Sequence, residues 1–428
     1  MNRKRIIVAL KNFFKPLKWF YPGMKVKRWF FLSFIGIILI VAGGQFLSGS
    51  TAAFRMVGIG YMFIGIAIVI LGIKNMLGSF IAVFMPQHKK TLVDIVYEQR
   101  HLSRGYRIAV IGGGTGLSVL LAGLKQYTNN ITAIVTVTDE GGSSGVLREE
   151  FDVLPPGDIR NCLVALADTE PLMSDLFQYR FKDTSTLGGH NFGNLFLLAM
   201  SKVTKDFEEA VKESSKVLAV RGQVVPSTLN KVRLMAEFDD GSKELGEVHI
   251  TEKVKPIKRI WLNPSDTKPT GSSLEAIENA DAIVLGPGSL YTSVIPNLLI
   301  DGISGAIRKS NAPKIYICNI MTQHGETDNY KASDHLKAIL ENTKIGSIDY
   351  CVVNKSKIPE ELLKKYEEQY AYPVEPDVSD IRKMNVKAVE SSLVHTADYI
   401  RHNSKQLAKT IIDAVSLDRA ERIHPTSI

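Results

Sequence analysis

No aspartate or glutamate occurs before Asp94, although the first 93 residues carry 13 lysines and arginines. The formal net charge of +8 therefore belongs to this stretch; residues 94–428 hold 39 basic against 44 acidic side chains, a net of −5. A body of that sign lacks the basic surface that a phosphate backbone needs, so no nucleic-acid partner is expected. Cysteine is scarce as well. Cys162, Cys318 and Cys351 are odd in number, far apart and without CxxC spacing, which excludes a disulfide framework and a zinc finger. Each lies in or beside an apolar run and reads as a buried thiol of a reducing compartment. HExxH, a serine–histidine–aspartate order and a Walker lysine are missing too, so no metal-ligand set is written in the chain. Internal repeats and low-complexity runs are absent.

Charge is also missing from two long apolar runs, 29–47 (WFFLSFIGIILIVAGGQFL) and 56–73 (MVGIGYMFIGIAIVILGI). Each approaches the ~20 residues that a helix needs to cross ~30 Å of hydrocarbon. The short connection from Ser48 to Arg55 predicts a hairpin, and glycines recur on both runs, as close helix packing in lipid requires. Nine lysines and arginines in 1–28, with Lys74, Lys89 and Lys90, outweigh the lone Arg55 of the turn. The positive-inside rule then puts both termini and the body in the cytoplasm, on a two-helix, multi-pass anchor in the cell membrane. The basic, aromatic segment 11–30 reads as lying on anionic lipid headgroups. The apolar run 76–84 extends the second helix or lies along the interface. The expected division is a basic tail 1–28, a hairpin 29–85, a linker 86–104, a body 105–416 and a tail 417–428.

From Arg107 the chain alternates between strand and helix patterns. Strands are expected over 107–113, 131–139, 282–288, 314–320 and 348–354, and helices over 117–127, 158–168, 191–201, 206–218, 331–342 and 403–416. Residues 217–262 read as a β-rich insert, and 355–380 as a solvated helix and loop. The expected fold class is α/β: a Rossmann-like, mostly parallel sheet with helices on both faces.

Six loops carry polar and glycine residues where ligands bind such sheets, beyond the carboxyl ends of the strands. Gly113, Gly114, Thr115 and Gly116 lie between the first strand and its helix, a phosphate-ready turn. Counted as GxGxxG from Gly112, the third glycine is Leu117, so the dinucleotide fingerprint fails. Asp139 and Glu140 end the second strand, followed by Ser143, Ser144 and Arg148; the acids could hold a ribose, a metal ion or a proton in transfer. In PPGDIRN, Asp158 sits where an N-cap belongs, with Arg160 and Asn161 behind it. His190 and Asn194 open a helix at GGHNFGN. Gly288, Ser289 and Tyr291 form a second strand–glycine loop–helix unit, with Tyr291 placed to stack on a base or sugar. Asn319 and Thr322 follow a further strand. Asp139, Glu140 and Asp158 are the candidate catalytic groups.

Together GGGTGLSVLLAGLK, ITAIVTVTDEGGSSGVLREE, PPGDIRN, GHNFGN, GPGSLYTSVIPN, NIMTQHGETD and the late RHNSK resemble the gluconeogenesis factor family, within the 2-phospho-L-lactate transferase (CofD)-like folds. The likeness covers about residues 105–416; the hairpin lies outside it. It implies a Rossmann-like domain that binds UDP-N-acetylglucosamine and serves cell-wall precursor supply and cell shape during gluconeogenic growth. It also implies ligand contacts at Tyr291 and at Arg401. The family's acidic pair is usually Asp-Asp, whereas Asp139-Glu140 stands here.

Two main readings stay open. A binding module would sense UDP-N-acetylglucosamine and act on a protein partner such as glucosamine-6-phosphate synthase. An enzyme would transfer a phosphoryl or nucleotidyl group, for example uridylyl transfer forming UDP-N-acetylglucosamine, with Mg²⁺ on Asp139 or Glu140 and Arg148 or Arg160 on the transferred phosphate. Dinucleotide (NAD) occupancy of the cleft and a homo-oligomer are left open as well.

Overall fold

The computed structural model describes residues 26–84, 100–168, 171–182, 186–396 and 400–423. Most of the basic tail and of the expected linker lies outside these residues. The chain divides into two compact units, Met1–Glu98 and Gln99–Ile428.

The first unit is a pair of helices, Val26–Leu47 and Ala52–Phe84, joined by a short turn. Each contains a stretch long and apolar enough to cross a membrane. The second runs on to Phe84, so the run 76–84 extends it. Glycines spaced by seven residues hold the pair together. A Cβ on Gly65 would lie 2.6 Å from the Gly36 carbonyl oxygen, and one on Gly43 would lie 2.7 Å from that of Gly58. Any larger residue there forces the backbones apart. Gly44 and Gly60 face open space, a distinction that composition does not make. Phe31 and Phe63 turn outward, at 65% and 71% exposure.

The second unit is built on a seven-stranded sheet. Its strands are β1 (Ile108–Gly112), β2 (Ile131–Val135), β3 (Gln223–Pro226), β7 (Ala282–Leu285), β8 (Lys314–Ile317), β9 (Tyr350–Asn354) and β10 (Lys387–Ser391). The order is β10-β9-β8-β7-β1-β2-β3, with every pairing parallel. β1 (IAVIG) and β7 (AIVL) are buried along their whole length, as β-branched runs at the centre of a helix-covered sheet should be. Helix Gly114–Leu124 packs between helices Gly157–Leu166 and Ser404–Ile423. All three cysteines are buried free thiols.

The chain leaves β1 toward β2 and β3, and leaves β7 in the opposite direction toward β8, β9 and β10. The β1–β7 boundary is thus the switch point where α/β sheets open a crevice.

A second sheet of order β5-β4-β6 joins β4 (Arg233–Phe238), β5 (Lys243–Leu245) and β6 (Ile257–Asn263), with helix Glu247–Glu252 beside it. β3, expected inside the β-rich insert, belongs to the main sheet instead, because Val224 and Val225 are buried against β2. The stretch 355–380 is less solvated than its charge suggests. It forms helices Glu360–Glu367 and Val378–Lys383, anchored by the buried Leu362 and Ile381, and leads into β10. Helices Gly142–Phe151, Pro171–Gln178, Gly271–Glu278 and Asp301–Lys309 have no counterpart in the pattern reading. A short hairpin, β11 (Val394–Thr396) with β12 (Ile400–His402), precedes the last helix.

Candidate functional site

The two glycine loops meet at the switch point. Gly113 precedes helix Gly114–Leu124, and Gly114 has φ +69°, a conformation that favours glycine. A Cβ on Gly116 would lie 3.1 Å from the Pro287 carbonyl oxygen, and one on Gly288 would lie 3.0 Å from that of Gly113. Bare backbone on both sides lets the loops touch. The buried Asn297 amide stitches them, donating to the Gly112 carbonyl at 3.2 Å and to the Ser293 carbonyl at 2.8 Å. From the β8 side, the Asn319 amide donates to the Gly288 carbonyl at 2.9 Å, and the Gln323 amide to Ser289 Oγ at 2.7 Å.

Between these loops opens a cavity of about 470 Å³. Gly114, Thr115, Gly116, Gly288, Ser289, Asn319 and Thr322, all singled out in the sequence, line it together. Gln323, from the same polar run as Asn319, lines it too, as do Tyr366, Gln369 and His402, which the sequence did not point to. Burial holds His402 down at about 4, so its ring is neutral. Its Nε2 lies 3.4 Å from the Cys318 carbonyl oxygen, which can only accept, leaving Nδ1 as an acceptor.

Tyr291 does not line this cavity. Its ring is buried at 2% exposure, and its hydroxyl pairs with that of Tyr330 at 2.8 Å. The irregular turn Leu290–Val294 carries it away from Ser289. The aromatic at the cavity wall is Tyr366 instead. Arg401 lies on β12; its side chain falls outside the described part of the structure.

The remaining candidates gather behind the first glycine loop, where helices 142–151, 157–166 and 192–204 begin. Asp158 is not an N-cap: Pro156 occupies that position, and the Asp158 carboxylate accepts the N–H of Gly114. Burial, then the neighbouring Asp139, push its carboxyl up to about 7. The Asp139 carboxylate accepts the Gly141 N–H at 2.9 Å, and a Cβ on Gly157 would lie 2.8 Å from its other oxygen. One anion position of the first loop is therefore already filled by the protein's own carboxylate. Ser144 packs against the same Gly157.

Ser143 Oγ accepts from the Asn191 N–H at 3.3 Å and the Asn194 amide at 3.2 Å, and it lies 3.2 Å from His190 Nδ1. With both acceptor directions used, its proton goes to the histidine. Arg160 packs on Gly193 and donates to Asn161 at 2.6 Å.

Asp139 and Glu140 diverge. Glu140 turns to Arg233 Nε at 2.6 Å and lies 3.9 Å from Arg148, whose own guanidinium donates to the Val232 carbonyl at 2.5 Å. Glu140 and Arg148 thus tie the small sheet to the β2 loop, and the longer glutamate arm reaches Arg233. Pattern reading also missed two buried acids. Glu247, in the insert, accepts the Glu140 N–H at 3.1 Å and is raised to about 8 by burial and then by Asp139. Glu326 accepts the Tyr291 N–H at 3.2 Å and the Thr292 hydroxyl at 3.1 Å, and burial raises it to about 7. Glu326 lay within the run NIMTQHGETD, whose acids could have flagged it. Glu247 had no local signal. Among the described residues no three histidine, cysteine or acidic side chains form a metal-binding group.

Comparison with known proteins agrees with this architecture. The family model of 2-phospho-L-lactate transferase CofD matches residues 108–394. The gluconeogenesis factor of Bacillus subtilis is 49% identical over 308 residues, covering 72% of this chain and 97% of that protein. A relative from Clostridium acetobutylicum is 42% identical over 422 residues, covering 94% of this chain and 92% of its own. A crystal structure of a UPF0052-family protein from Bacillus halodurans superposes with a TM-score of 0.70 at 48% identity, covering 72% of this chain and 99% of that one. Relatives thus occur both as the body alone and with an alignment reaching into the N-terminal region. The chain belongs to the CofD-like family, among the gluconeogenesis factors.

Proposed function

We propose that the body binds UDP-N-acetylglucosamine in the cavity between the two glycine loops, and that it acts as a sensor for cell-wall precursor supply and cell shape under gluconeogenic growth. The observation that carries this reading is the meeting of two strand–glycine loop–helix units at one switch point, with a tyrosine on the far wall. Backbone N–H groups in the first turn of an 11-residue helix, with Ser289 opposite, suit a diphosphate. Tyr366 suits the base or the sugar. The output would pass to a protein partner such as glucosamine-6-phosphate synthase. Calorimetric titration of the purified chain with UDP-N-acetylglucosamine is expected to give saturable binding that NAD does not displace. Tyr366→Ala should weaken it roughly 10- to 100-fold, the worth of a stacking contact of about 1–3 kcal/mol. Unaltered affinity in that variant would move the ligand out of this cavity.

The Asp139–Asp158 pair favours a second reading, a Mg²⁺-dependent phosphoryl or nucleotidyl transfer. Two carboxylates kept close enough for one to raise the other are relieved by a cation. A bound Mg²⁺ would neutralise charge on a transferred phosphate, with Asp139 and Asp158 as its holders; Glu140, committed to Arg233, would not take part. Unchanged turnover in Asp139→Ala would remove this reading.

The N-terminal helices would anchor the body at the cytoplasmic face of the cell membrane, with both termini inside, close to the consumers of lipid-linked precursors. Deleting residues 1–90 is expected to move the protein from the membrane pellet to the soluble fraction. Retention in the pellet would require a second membrane contact.

A further inference from the structure

Behind the second glycine loop lies another cleft, of about 550 Å³, which the nucleotide-sugar reading does not use. Three elements build it: the start of β6 at Ile257 and Lys258, the loop Asp328–Tyr330, and helix Ala332–Asn342. Tyr291 and Tyr330 meet there, hydroxyl to hydroxyl, at 2.8 Å. Such a pair shares one proton, so the second phenolic O–H needs an acceptor from outside the pair. Asp239 and Glu341 contribute carboxylates that make no ion pair or hydrogen bond among the described residues, and both charges reach Tyr330. Asn329 adds an amide at φ +62°. Lys337 is committed to Asp334, and Lys258 to Glu237.

We infer that this cleft is a second binding site, for an unphosphorylated, hydroxyl-rich small molecule of the sugar or polyol class. Tyrosine hydroxyls and an amide offer donors and acceptors over an aromatic floor, and free carboxylates accept ligand hydroxyls. The same carboxylates repel phosphate, so the ligand differs in charge from that of the glycine-loop cavity. The two sites share one wall. Ser289 faces the glycine-loop cavity, Tyr291 faces the cleft, and the turn Leu290–Val294 between them is held by Glu326. An occupant that moves Tyr291 moves Ser289, so each ligand changes the other's affinity by the same factor.

This regulatory link rests on the nucleotide-sugar reading; the site itself does not. The full-length protein in detergent, saturated with UDP-N-acetylglucosamine, is titrated with N-acetylglucosamine, with D-glucose and with N-acetylglucosamine 1-phosphate. At least one neutral sugar is expected to bind saturably while the phosphate ester does not, and its presence should shift UDP-N-acetylglucosamine affinity about fivefold or more. Glu341→Lys, on the exposed face of its helix, and Tyr330→Phe should each weaken sugar binding roughly tenfold, leaving UDP-N-acetylglucosamine binding in the absence of sugar unchanged. Failure of both neutral sugars to bind, or binding indifferent to Glu341→Lys, overturns the site. Sugar binding without any shift in nucleotide-sugar affinity overturns the coupling alone. If UDP-N-acetylglucosamine itself does not bind, the earlier reading falls, and the sugar titration of the free protein still decides the cleft.

Discussion

Gly116→Val should abolish UDP-N-acetylglucosamine binding, with affinity falling by about 100-fold or more, while the fold survives. A Cβ at this position would lie 3.1 Å from the Pro287 carbonyl oxygen and 3.3 Å from the Gly288 nitrogen, and both neighbours are backbone. Backbone in a loop stitched by Asn297 and Asn319 cannot swing aside as a side-chain end would. Valine adds two methyl groups, so helix Gly114–Leu124 must withdraw from the second loop. Displacing a binding frame by about 1 Å is enough for losses of order 100-fold. Overpacking of this kind costs about 1–3 kcal/mol, which leaves a body of this size folded. Gly305→Ala, inside helix Asp301–Lys309 with nothing within 4 Å of its Cβ, is the control: it should leave binding unchanged and stabilise its helix by about 0.5–1 kcal/mol. Circular dichroism and calorimetry on the two variants check this. A Gly116→Val protein that binds normally would show that the ligand does not sit between the loops.

The second large effect concerns pH. Asp158 and Glu326 are pushed up to about 7, and Glu247 to about 8, chiefly by burial. Their unfolded values lie near 4, so the folded body binds more protons than the unfolded chain between those limits. Stability from these groups is complete below pH ~4 and is lost as the pH rises through ~7–8. Thermal unfolding of the body should therefore fall in temperature from pH 6 to pH 9. Glu247→Gln keeps an acceptor for the Glu140 N–H and removes the buried charge. It is expected to stabilise the protein at pH 8.5 by about 1–3 kcal/mol, or roughly 2–4 °C per kcal/mol, and to do nothing at pH 5. An equal gain at both pH values would mean that the charge of Glu247 is not what the fold resists. Mg²⁺ gives a further readout. If Asp139 and Asp158 hold it, added Mg²⁺ should raise the melting temperature at pH 8.5 in the wild type and not in Asp139→Asn.

Three of the six singled-out loops were placed by local chemistry alone. Gly114, Thr115, Gly116, Gly288, Ser289, Asn319 and Thr322 line one cavity because strand–glycine loop–helix units in a parallel sheet all end on the same edge. That much follows from period and glycine position. The β2 loop, the helix start at Asp158 and the His190 turn also lie at this edge, but behind the first loop. Which side of a loop a residue occupies depends on the strand order, and the order is a long-range outcome. Tyr291 shows the limit. GPGSLY reads as a loop followed by a helix with the tyrosine facing the ligand, yet Leu290–Val294 winds as a wide turn. Glu326, 35 residues later, takes the Tyr291 N–H and fixes the ring against Tyr330. Tyr366 was hidden for the opposite reason: it lies among lysines and glutamates that look solvated, and only the buried Leu362 beside it brings that helix onto the body.

By itself, the sequence determined what is local: two apolar helices with no acid near them, an α/β rhythm, and backbone-rich turns after the strands, since hydropathy, charge and glycine act within a few residues. Only the tertiary structure decided that β1 and β7 are neighbours, that Glu140 answers Arg233 while Asp139 stays beside Asp158, and that Gly36 meets Gly65 while Gly44 meets nothing. Those outcomes depend on close approaches between segments far apart in the chain, where a few tenths of an ångström and the exclusion of water set which partner a side chain takes.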